Sequence, residues 1–145
     1  MLDAYRDLID DLLSTPTEIR ALTDASGGST TSPEVKRLVA ELRNRDRAIL
    51  ERVQAMTREE TPYLPALRLG PPADDEDLTA LLEQMEVARG DLVSLLINLS
   101  LKDWTRGAID EAEGEITLAD EIEHHVEFDE RQRSQLRANV SGSGT

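Results

Sequence analysis

The chain has 145 residues, a length suited to one domain, and 16 Lys and Arg against 30 Asp and Glu leave a formal charge of −14. That balance excludes the basic surface on which affinity for DNA or RNA rests, and equally a surface for anionic membranes. With no cysteine, disulfides, thiolate nucleophiles and zinc–cysteine sites are excluded, and no stretch approaches the ~20 apolar residues of a membrane span. The opening MLDAYRDLIDDLL lacks the basic flank and apolar run of a signal peptide, so the expected location is the cytoplasm. Twenty-one leucines against fourteen valines and isoleucines, with four aromatic residues, make an all-α composition. Arginine outnumbers lysine 14 to 2, which salt adaptation or genome composition would each produce.

A first helix is expected from Leu2 to about Ser14, with Leu8, Ile9, Leu12 and Leu13 on one side. Thr15-Pro16-Thr17-Glu18 reads as a fresh helix start, with Thr15 as N-cap, and Ser26-Gly27-Gly28-Ser29 as a flexible turn. A second long helix opens at Ser32-Pro33-Glu34 and carries Val35, Leu38, Val39, Leu42, Ile49, Leu50 and Val53 to about Met56. Asp46 interrupts that apolar stripe.

Thr61 to Asp75 is a proline-rich loop, long enough to carry the chain along a whole bundle, with Leu64, Leu67 and Leu69 packing on the body. The third long helix runs from about Glu76 to Leu101, and its leucine stripe is interrupted by Arg89. One opposite charge in each of two stripes predicts an Asp46–Arg89 ion pair, at least partly buried; the alternative is that both side chains snorkel outward. Lys102 to Ile116 reads as a hairpin-like connection. Thr117-Leu118-Ala119-Asp120 is a capping-box start to a final helix ending near Ala138, so residues 1–138 form one domain and 139–145 a flexible tail. The fold class is therefore an all-α four-helix bundle.

The only histidines, His124 and His125, are adjacent and point about 100° apart on that last helix, so they cannot share one ion from this element. His125 with Glu121 or Asp129 makes an allowed metal half-site; the plainer alternative is one histidine on the inner face and one on the rim. No phosphate loop, G-x-S-x-G elbow or H-E-x-x-H motif is present. The run Arg43-Asn44-Arg45-Asp46-Arg47 reads as a solvated face, and Asp74-Asp75-Glu76-Asp77 as a helix start favoured by the dipole.

Gly114-Glu115-Ile116-Thr117-Leu118, with Gln135-Leu136 closing the following helix, resembles the last segment of the DinB-like (DinB/YfiT, DNA-damage-inducible) superfamily. Leu101-Lys102-Asp103-Trp104 resembles that family's Asp-Trp helix end, and Ser32 to Asp46 its Ser-initiated helix with an acid five residues past a histidine. The resemblance implies a four-helix bundle with a long crossover between the second and third long helices, often dimeric, and in many members a divalent metal on three histidines. Carried across, those histidines fall on Glu41, Phe128 and Gln132. The resemblance thus implies a homodimeric DinB-like bundle with a degenerate metal site, no cofactor and no catalytic residues. It would be a small-ligand-binding or protein-interaction module, its pocket lined by Glu41, His124, His125, Phe128 and Gln132. The alternative is a metal-dependent thiol transferase, isomerase or hydrolase acting on small molecules through a rebuilt metal site.

Overall fold

Four long helices alternate with short elements in the computed structural model, which describes residues 3–25, 33–68 and 76–142. They are α1 (Asp3–Ala25), α2 (Pro33–Arg58), β1 (Tyr63–Leu64), α3 (Leu78–Ile97), α4 (Leu101–Trp104), β2 (Gly107–Asp110), β3 (Gly114–Thr117) and α5 (Leu118–Gly142). The chain is a four-helix bundle, with α2 packed on α3 and α5, and α1 on α5 and α3. Contacts between α2 and α3 advance together, Arg43 with Gln84 and Asp46 with Arg89, so these consecutive helices run parallel. Parallel neighbours cannot be joined by a tight turn, which is why the connection between them spans the bundle.

Several elements differ from the sequence reading. Thr15 does not cap a new helix: α1 runs through Pro16 without a break. Proline removes the N–H that would bond the carbonyl four residues back, here that of Leu12. Arg89 Nη1 from α3 donates to Leu12 O instead, at 2.7 Å, so a tertiary contact supplies what the helix lost. Helix α3 begins after its N-cap, Asp77, whose carboxylate accepts from Ala80 N at 2.8 Å. It ends at Ile97, not Leu101, because Ser100 and Asp103 cap each other reciprocally to open α4. Helix α5 continues to Gly142, past the end expected near Ala138, with Asn139 Nδ2 bonded to Gln135 O at 2.8 Å. The remainder of the expected tail, the Gly27-Gly28 turn, the Ser32 cap and Leu69 lie outside the described residues.

The hairpin-like connection is a true β-hairpin. β2 pairs antiparallel with β3, Gly107 opposite Thr117 and Asp110 opposite Gly114. Its turn needs a positive φ, supplied by Gly114 at 79°. Asp110 Oδ2 fastens the turn by accepting from the N–H groups of Ala112 and Glu113 at 2.9 and 2.8 Å. The crossover adds a strand that periodicity did not indicate: β1 lies parallel to β2, in the order β1-β2-β3. This small sheet is minor beside the helices, but it anchors one end of the crossover. Thr117 and Asp120 form the expected capping box, each backbone N–H bonded to the other's side chain at 2.9 and 3.1 Å.

The apolar core falls into two clusters. Leu12, Ile49, Met56, Leu92, Leu96, Trp104, Leu118 and Ile122 belong to one, and Ile19, Leu38, Leu42, Leu81, Met85, Phe128 and Leu136 to the other. Between them, at one level on each long helix, stand Thr15, Asp46, Arg89, His125 and Asp129, all buried.

Candidate functional site

Arg89 is the centre of that polar layer. Its Nε donates to Asp46 Oδ1 at 2.9 Å, Nη1 and Nη2 donate to the two oxygens of Asp129 at 2.7 Å each, and Nη1 also reaches Leu12 O. The predicted Asp46–Arg89 pair is thus one edge of a larger cluster. Burial opposes the charge on Arg89, but Asp46 and Asp129 outweigh it and hold the proton more tightly than in ordinary arginine. The hydroxyl of Thr15 lies 2.9 Å from Asp129 Oδ2. Asp46 Oδ2 is buried with no hydrogen-bond partner among the described residues.

His125, fully buried, joins this layer to its surroundings. Arg45 Nε lies 3.1 Å from His125 Nδ1, and a guanidinium N–H can only donate, so Nδ1 accepts. The ring proton is thereby assigned to Nε2, which donates to Asp46 Oδ1 at 2.6 Å. Both imidazole nitrogens are occupied, and neither retains a lone pair for a metal.

The positions matched to the three histidines are also engaged. Gln132 Nε2 donates to Leu38 O and to Glu41 Oε1, each at 3.1 Å, and the other Glu41 oxygen takes Arg37 Nη1 at 2.6 Å. Phe128 offers no donor atom, and the guanidinium of Arg45 stands 4.6 Å from its ring centroid. A divalent ion needs several N or O donors turned to one point. Glu41, Phe128 and Gln132 do not fit one, because Phe128 has no donor atom and both oxygens of Glu41 already accept hydrogen bonds, from Gln132 and Arg37. Among the described residues no group of three His, Asp or Glu side chains is placed to hold a metal ion.

A cavity of about 440 Å³ opens beside this region, between α2, α5, the hairpin and the end of the crossover. Arg45, Arg52 and Arg131 bring positive charge to its wall, Asp110, Glu113, Glu121 and Glu127 negative charge, and Leu67 and Ile116 apolar surface. Arg52 is already neutralised. It donates to Glu121 and Asp110 and, at 2.7 Å, to Pro65 O, tying α2, α5, the hairpin and the crossover together. Burial raises the affinity of the Asp110 carboxyl for its proton, yet Arg52 and the two turn amides overcome this and leave it below the ordinary aspartate range.

Of the expected pocket residues, only His124 lines this cavity. His125 is sealed in the polar layer, Phe128 lies under Arg45, and Glu41 and Gln132 bond to each other. The Arg43–Arg47 run is not a solvated face: Arg43 and Asp46 are buried, Arg45 is half-buried and Arg47 alone is exposed. Consecutive helical residues point about 100° apart, so a run of charges spreads around the helix. Arg45 and Arg52 were missed as site residues. Their spacing from Glu41 and from each other, four and then seven residues, places all three on one face of α2 and was the available signal.

No family model and no curated protein matches the chain by sequence. One solved structure matches by fold: YfiT from Bacillus subtilis, described as "a probable metal-dependent hydrolase with an unusual four-helix bundle topology". The similarity has a TM-score of 0.78 at 18% identity and covers 95% of this chain and 86% of that one. This chain therefore has the YfiT-like bundle that the DinB/YfiT resemblance implied. No described helix is long and apolar enough to cross a membrane.

Proposed function

We propose that this bundle is a metal-independent binding protein for a small molecule, held in the cavity between α2, α5 and the hairpin and acting in the cytoplasm. One observation carries the reading: the guanidinium of Arg45 stands against Phe128 and bonds His125 Nδ1. A fixed cation there disfavours a second one by direct repulsion, in a setting of reduced dielectric. The cavity size supports the same reading, since small-ligand pockets run to roughly 300–1,000 Å³.

Elemental mass spectrometry on protein purified without chelator tests this, alongside thermal-shift titrations with zinc, nickel and manganese. Metal far below one ion per chain and no rise in melting temperature are the expected results, because an ion bound only by the native state stabilises it. About one ion per chain, raising the melting temperature, would overturn the proposal and put hydrolysis of the kind described for YfiT first. The homodimer implied by the resemblance is tested by sedimentation velocity, where a single species of monomer mass would overturn it.

A further inference from the structure

Arg45 is exceptional among the arginines of this chain. Every other described arginine that is buried or half-buried has a carboxylate as ion-pair partner: Arg20, Arg37, Arg43, Arg52, Arg89, Arg106 and Arg133. Among the described residues Arg45 has none, although the chain has 30 acidic residues. Its Nε is spent on His125 and one face lies on Phe128, while Nη1 and Nη2 meet no acceptor among the described residues. Neither Nη is sealed from solvent, and the side chain lines the 440 Å³ cavity. A desolvated guanidinium held in place on one edge and one face, with its two-nitrogen end free, is a preformed fork for a planar anion.

The rest of the wall narrows the class. Leu67 and Ile116 offer apolar surface for a carbon body, and Arg131, itself without an ion-pair partner among the described residues, adds a second cation. Glu121 and Glu127 stand on the same wall and oppose a second negative charge. We propose that the ligand is a small monocarboxylate with an apolar body, its carboxylate on the free Nη1/Nη2 edge of Arg45. This rests on the metal-independent reading above and assigns a ligand class to that cavity. Burial already pulls the Arg45 guanidinium below the ordinary arginine range; Glu121 and Asp129 oppose this and the charges of Arg131 and Arg52 add to it. A bound anion would relieve that strain on the charged form.

The test is a ¹H–¹⁵N NMR titration of the full chain, in chelator, with benzoate, its uncharged counterpart benzamide and the dianion phthalate. Saturable benzoate shifts are expected at amides near Arg45, His124 and Ile116, with benzamide and phthalate each at least about tenfold weaker. R45Q should weaken benzoate about tenfold, and R131Q, at an exposed position, on the order of threefold. Circular dichroism establishes that each variant folds, and R131Q reads the same site should R45Q not fold. Benzamide bound as tightly as benzoate, or no benzoate shifts at all, overturns the carboxylate inference alone. Benzoate binding that requires added zinc and survives R45Q overturns the metal-independent reading with it.

Discussion

Arg89 and Arg45 flank His125 from different helices, α3 and α2: Arg45 Nε donates to its Nδ1, while Arg89 Nε shares Asp46 Oδ1 with its Nε2. Arg89 is buried at 2% exposure, and its donors meet two carboxylates and a carbonyl. Arg45 is half-buried and has a ring, an imidazole and two idle nitrogens. The same side chain thus serves opposite ends a few ångströms apart. A guanidinium whose every donor is matched holds helices together, whereas one whose burial cost is left uncompensated is a place for something to bind.

The contrast can be broken by mutation, and the largest effect is expected at the matched centre. Arg89→Leu leaves Asp46 and Asp129 buried without their cation and should cost ~3–5 kcal/mol in urea denaturation. A cost below ~1 kcal/mol would mean that the layer does not hold the bundle together. Arg52→Met should cost about 3 kcal/mol, and amide exchange should quicken first across 107–117, the hairpin it tethers. The pH dependence of this variant sharpens the point. Asp110 titrates below its ordinary 3.8 in the folded chain, so its contribution is present above that value and lost as pH falls through the folded one. Wild-type protein should therefore lose stability below about pH 4 more steeply than Arg52→Met.

Thr15→Val removes the hydroxyl beside Asp129 and should cost ~1 kcal/mol, read by the same denaturation. The smallest stability effect is expected from Arg45→Gln, below ~1 kcal/mol, because relief of its burial offsets the lost contacts to His125 and Phe128. Equal losses of stability at Arg45 and Arg89 would erase the distinction drawn between them.

Much of this was legible in the chain. Leucine-rich stripes at helical spacing identified the bundle, and a single charge interrupting each of two stripes identified Asp46 and Arg89. The third member, Asp129, was legible only as a possible partner of His125, because α5 carries acids on nearly every side and nothing local marks the one that meets Arg89. Thr15-Pro16 looked like a helix boundary for a sound local reason. The missing donor was replaced from 77 residues away, which no local pattern records. His125 was recognised as one of two candidate ligands, but its tautomer depends on which donors face it from α2.

The sequence by itself determined the all-α bundle, a connection long enough to cross it and the absence of a histidine triad, since periodicity, proline content and residue identity are local properties. Only the tertiary structure decided which charges are satisfied. Asp46, Arg89 and Asp129 close a network because three helices bring them to one level, while Arg45, one residue earlier on α2, turns toward a cavity with its fork unfilled. Whether a charged group holds the fold or awaits a ligand depends on what surrounds it in space, and that is set by how the helices meet.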